Sequence, residues 1–224
     1  MNWNFTARPA DQVIAYLVSF VIAITIHEFM HAWTANRFGD HTARNLGRIT
    51  LNPIAHFDPM GFFGMVLIAL GFPFIGWGKP VPVNPGNFRG KWAQHRHRGM
   101  TLVAAAGPLS NVAQALVMAI PFQLILRNEW QVSDPVWTFI TVYIQANILL
   151  AAFNMIPVFP LDGYRILNGI LPDFWRPILQ PLEQYGFIVL LMLLFVGGRY
   201  GDSIIGGIMN PVRDSLTQLV TIGL

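Results

Sequence analysis

Cysteine is absent from the 224-residue chain, which excludes a disulfide framework, a thiolate metal site, an iron–sulfur cluster and a cysteine nucleophile. Charge is scarce: Asp, Glu, Lys and Arg make up 11% of residues, against roughly a quarter in an ordinary soluble domain. With 54% hydrophobic residues and a mean hydropathy of +0.48, the chain reads as a membrane protein. It also lacks the marks of a removable leader, because MNWNFTARPADQ has no short apolar core with a small-residue cleavage site; a retained first span is expected. No repeat, low-complexity tract or flexible linker divides the sequence. The expected organisation is one membrane-embedded domain over residues 1–224, with its core at about 12–170 and C-terminal helices at about 184–224.

What the chain does have is uncharged runs. A bilayer core takes roughly 20 apolar residues as helix, and five stretches qualify as candidates. They lie at 12–26, 59–78, 99–126, 135–161 and 184–198, followed by a weakly apolar tail broken by Gly206, Gly207, Pro211, Arg213 and Asp214. The third and fourth are the strongest spans. Eight of the 14 basic residues fall between Arg37 and Arg98, and by the positive-inside rule this puts both flanks of the 59–78 stretch on the cytoplasmic side. That stretch should then enter and return, and the Gly and Pro punctuation after its apolar half favours a turn or extended segment over a second full helix. The fold expected is an all-α polytopic membrane protein with about 5–6 transmembrane helices and a re-entrant or β-like segment between the first and second sure spans. The net charge of +3 and pI near 9.6 do not indicate nucleic acid. The basic cluster RGKWAQHRHR at 89–98 abuts the longest apolar run, as a juxtamembrane anchor facing anionic lipid does.

Near the end of the first span the sequence reads HEFMH, with His27, Glu28 and His31. Residues i and i+4 share a helix face, so both imidazoles can reach one zinc ion with Glu28 beside it to take a proton from water. Three ionisable groups so close to an apolar helix are costly unless they face a polar interior and serve a function. With no thiolate to call on, a third ligand must be a carboxylate or another imidazole, and Asp162 is the best placed. It ends the 135–161 run, where Pro157 and Pro160 should unwind the helix and turn Asp162 sideways. If 59–78 is re-entrant, Asp162 also arrives on the same side of the membrane as His27 and His31. Asn111 and Asn147 are polar within apolar runs, and each is either a site contact or an interhelical hydrogen bond. His56 and Asp58 suit turn and capping roles better than a second metal site. His41, His95 and His97 lie in polar surroundings.

Together these residues resemble the site-2 proteases, intramembrane zinc metallopeptidases that cut transmembrane helices. HEFMH at 27–31 is similar to that family's first motif and FNMIPVFPLDG at 153–163 to its second, with AAAGPLSN at 104–111 resembling the central span. LNPIAHFDPMG at 51–61 and WGKPVPVN at 77–84 resemble the compact prokaryotic branch, which lacks PDZ and CBS domains. The resemblance implies that His27, His31 and Asp162 bind one zinc ion, that Glu28 is the general base, and that Asn154, with Asn111, lies near the substrate or its oxyanion. It further implies a transmembrane protein as substrate, the lipid bilayer as surroundings, and a site toward the cytoplasmic side of a prokaryotic cell membrane. A transmembrane substrate must unwind before its amides can be cut, and the 59–88 segment is expected to offer an extended edge to it by β-addition. The competing reading is a divalent-metal transporter, which would need further His and acidic ligands at mid-membrane depth; every other His lies outside the long apolar runs.

Overall fold

The computed structural model describes residues 9–72, 74–195 and 204–221. Its regular structure is helical throughout, with no strand among the described residues. Helix α1 spans Ala10–Arg37, with Asp11 in its first turn and Arg37 in its last, each facing the end of the macrodipole it complements. It stops where Gly39 adopts φ 103°, a conformation that costs glycine little. Gly39 also has no Cβ to meet the Arg89 side chain, whose Cγ would lie 2.7 Å from one.

Three helices are long and apolar enough to cross a membrane: α1, α5 (Arg96–Arg127) and α6 (Asp134–Asn154). They pack against one another around buried Ala23, Ala104, Gly107, Ala115 and Ala151, small residues that let helix backbones approach where there is no water to drive association. Larger side chains form two further clusters. Tyr16, Phe20 and Leu150 pack with Met65 in one, and Ile140, Ile144 and Ile148 pack against Ala115 and Ala119 in the other.

Between α1 and α5 lie two short helices, α2 (Thr42–Asn45) and α3 (Pro59–Ala69), with α4 (Lys91–Gln94) just before α5. Asp58 caps α3 by accepting from the Gly61 amide at 2.8 Å, the capping role expected of it. After α3 the chain turns at Gly71, φ 95°, and comes back along the same helix. The carbonyl of Ile75 lies against Gly64 and that of Trp77 against Gly61, each at 2.0 Å or less from where a Cβ would stand. The stretch therefore doubles back on itself, with the return arm packed along α3. The return arm is extended, but no β-strand pairs with it among the described residues.

Helix α7 (Asp162–Ile170) follows a non-helical turn at 155–161, and α8 (Arg176–Phe195) and α9 (Ile204–Val220) complete the described chain. The apolar part of α8, Glu183–Leu193, is shorter than a span. Residues 196–203, on which the fifth candidate stretch partly falls, and 222–224 lie outside the described residues.

Candidate metal centre

His27 and His31 are adjacent on one face of α1, and Asp162 is the first residue of α7. The Nε2 atoms of the two imidazoles are 3.0 Å apart, and each is 3.1 Å from Asp162 Oδ2. What brings Asp162 here is the break after Asn154. Gly163 fits against the carbonyls of Met155 and Ile156, where a Cβ would come within 2.4 Å, so α7 begins tight against the end of α6.

The remaining ring nitrogens decide which protonation state converges. His31 Nδ1 lies 2.7 Å from the Val103 carbonyl, which only accepts, so Nδ1 carries the proton and donates. His27 Nδ1 lies 2.7 Å from Asn111 Oδ1. Asn111 is fully buried, and its amide nitrogen donates to Asn147 Oδ1 at 2.9 Å and to the Ala23 carbonyl at 3.3 Å. Asn147 in turn donates to the Tyr143 carbonyl at 3.0 Å, which turns its Oδ1 toward Asn111. With both hydrogens of Asn111 committed, its oxygen must accept from His27. In the neutral imidazoles both Nε2 atoms then present lone pairs toward Asp162 Oδ2.

Two bare imidazole nitrogens and a carboxylate oxygen at this spacing call for a cation between them. The ligand atoms of a tetrahedral zinc site with bonds of about 2.0–2.1 Å stand about 3.3 Å apart, slightly wider than the triangle here. Space is provided as well. A Cβ on Gly107 of α5 would lie 2.4 Å from His31 Nε2 and 2.6 Å from His27 Nε2, so any larger residue there would press into the centre. His27, His31 and Asp162 form the one such group found among the described residues. Donor chemistry, protonation and room all fit a divalent ion of the zinc type.

Glu28 lies beside the ligands and is 9% exposed. Its Oε2 accepts from the Val81 amide at 2.9 Å, which ties the return arm of the re-entrant segment to α1. Lys79 and Val81 alternate with Pro80 and Pro82, and prolines have no N–H. From 80 to 82, Val81 is the lone amide donor, and Glu28 receives it. Farther along, the fully buried Asp40 accepts from the Asn84 amide at 2.7 Å, from Asn87 Nδ2 at 2.9 Å and from Thr42. Burial pushes the Asp40 carboxyl up, but these hydrogen bonds from Asn87, Thr42 and Asn84 outweigh it and hold the group below its ordinary value.

Of the other predicted residues, Asn154 is partly buried and its amide donates to the Leu150 carbonyl at 3.0 Å. Asn111 sits behind His27, with its amide group committed to His27, Ala23 and Asn147. His56 is buried and bonds the Thr50 carbonyl at 2.9 Å, and His41 bonds Asn36 at 2.7 Å; neither joins the centre. The sequence singles out Val81 as part of a substrate-binding edge and Gly107 within a small-residue run, and their places at the centre went unrecognised. Gly107 could have been found from its place beside Pro108 in a small-residue run, whereas nothing local marks the Val81 amide.

Comparison with known proteins follows the same lines. The sequence profile of peptidase family M50 matches residues 121–197. The chain is 38% identical over 222 residues to YwhC of Bacillus subtilis, covering 96% of this chain and 95% of that protein. It is 30% identical over 193 residues to Rip2 of Mycolicibacterium smegmatis, covering 84% and 71%, and 28% identical over 180 residues to a protein of Methanocaldococcus jannaschii, covering 79% and 82%. Each of the three carries the name of a candidate zinc metalloprotease. No solved structure matches the chain.

Proposed function

The chain belongs to peptidase family M50, and from that premise we propose that it is an intramembrane zinc metalloendopeptidase acting on peptide bonds within or near transmembrane segments of membrane proteins. The observation that carries the proposal is the convergence of His27, His31 and Asp162 at 3.0–3.1 Å beside Glu28, with both histidines on a helix of membrane-spanning length. His27, His31 and Asp162 hold one zinc ion. Zinc bound there supplies Lewis acidity, which brings the pKa of a water toward about 7 and polarises a carbonyl.

The chain's own groups do the rest. Glu28 accepts the proton of the attacking water and passes it to the leaving nitrogen. The Val81 amide holds one carboxylate oxygen of Glu28, leaving Oε1 for the proton. Asn111 and Val103 keep the imidazoles oriented with Nε2 inward. Asn154 stands at the mouth of the break that precedes Asp162, suited to a substrate or oxyanion contact. The substrate must arrive unwound, and the return arm is the surface suited to receive it: the amides of Gly76 and Gly78 donate to no protein acceptor among the described residues. Val81 is excluded from that role, since its amide serves Glu28. The active site faces the cytoplasm, given the basic flanks of the re-entrant segment, and the whole forms one membrane-embedded domain.

The test is cleavage of a helix-destabilised transmembrane reporter by the detergent-purified protein, with the cut mapped by mass spectrometry. The expected result is a cut inside the reporter's apolar segment, abolished by chelation and restored by zinc. Zinc flux into liposomes without any cleavage would instead favour a transporter.

A further inference from the structure

Arg48 is a cation with no role in the chemistry described above, yet it is 6% exposed and belongs to the loop between α2 and α3. Its guanidinium donates to the Lys79 carbonyl. The amide of the same Lys79 donates at 2.8 Å to the His56 carbonyl, and His56 is itself held to the Thr50 carbonyl at 2.9 Å. One loop, 48–56, therefore grips both backbone groups of Lys79. Two residues on, Val81 delivers its amide to Glu28, with Pro80 and Pro82 stiffening the link on either side. Val81 also packs with Ala32 of α1 and Ala43 of α2, so the strap has a seat as well as a clasp. Burying a guanidinium away from water is costly unless it serves a specific contact, and its Nε finds no partner among the described residues. Among the described residues, the one hydrogen-bond acceptor its side chain reaches is the strap, and the Glu28 carboxylate attracts it electrostatically.

We infer that Arg48 is a positioning residue: by clasping the Lys79 carbonyl it seats residues 79–83 so that the Val81 amide fixes the Glu28 carboxylate for proton transfer. The inference rests on the proteolytic reading above. It does not require Arg48 to touch substrate or the ligands, so loss of the clasp should leave zinc content unchanged. Because a held carboxylate matters at the transition state, the effect belongs in kcat.

The test uses the full detergent-purified chain, whose lack of cysteine lets Val81→Cys supply a single thiol that retains the backbone amide. Maleimide labelling of that thiol reads how firmly the strap is seated. Arg48→Met is expected to raise the labelling rate about tenfold, and to lower kcat on the reporter about tenfold with KM changed less than about threefold. Arg48→Lys, which keeps a cationic donor, should recover much of both. Unchanged labelling in Arg48→Met overturns the inference whatever happens to turnover. Raised labelling with undiminished kcat overturns it too. If Arg48→Met loses zinc, Arg48→Gln takes its place, and zinc loss in both variants contradicts a positioning role. A wild type that cuts no reporter defeats the proteolytic reading alone, because the labelling comparison still decides whether Arg48 seats the strap.

Discussion

Asn111 illustrates how much one buried amide can settle. Its oxygen faces His27 because its nitrogen is fully committed elsewhere, and this sets the imidazole tautomer. Asn111→Leu removes the acceptor and leaves His27 Nδ1–H unpaired in an apolar bundle. Zinc affinity should fall by about 10–100-fold, measured by competition with a chelator of known affinity. Gly107→Ala should be harsher, since the new Cβ would stand 2.4–2.6 Å from both imidazoles within a helix that cannot easily move aside. Its purified form should hold little zinc by elemental analysis while the helical circular dichroism stays near wild type. At this scale the sequence was partly transparent. HEFMH announces itself through helix spacing, and Asp162 through the prolines before it. Asn111 could be read only as a buried polar group with two possible uses, because its partners come from α1 and α6, far away in sequence. Gly107 acquires its meaning from the approach of α5 to α1, which no local pattern records.

At the scale of elements, the re-entrant segment is the part that joins scaffold to chemistry. Its outward half is α3, whose Gly61 and Gly64 let the return arm lie in contact, and its far end is held by Asp40. Gly64→Val should push Ile75 away and lower reporter turnover at least about tenfold without removing zinc. The Asp40 contacts predict a pH dependence of stability. A carboxyl held below its unfolded value near 3.8 contributes stability that is fully present above that value and is lost as pH falls through the lower, folded value. The thermal midpoint of wild type should therefore drop more steeply below about pH 4 than that of Asp40→Asn, as followed by intrinsic tryptophan fluorescence. Charge placement and Gly/Pro content made the reversal of the chain after α3 readable in advance. How closely the two arms pack was not, because Gly61 and Gly64 acquire their meaning only from the Trp77 and Ile75 carbonyls of the return arm. The predicted β-like character survives as an extended arm whose partner, in the proposed function, is the substrate.

For the molecule as a whole, α1, α5 and α6 must be arranged so that the end of α1, the start of α5 and the end of α6 share one side. The 3.1 Å approach of Asp162 to both histidines demands it. Single cysteines at 51 and 95 should then be labelled from the cytoplasmic face of sealed vesicles, and one at 131, in the α5–α6 turn, from the opposite face. Labelling of all three from one side would contradict the proposed topology. Composition alone was enough to read the chain as a membrane protein, and the basic flanks give the orientation that the proposed topology adopts. The number of crossings was less legible, since apolar stretches such as 59–78 serve the interior of the protein as readily as the bilayer.

The central claim is that His27, His31 and Asp162 hold a metal at which Glu28 performs proton transfer in peptide hydrolysis. The most direct measurement is reporter cleavage by wild type and Glu28→Gln side by side, with zinc determined in the same samples. The account predicts equal zinc, close to one per chain, and a loss of turnover in Glu28→Gln of at least about a hundredfold. Cleavage by Glu28→Gln at the wild-type rate, with zinc still bound, would contradict it.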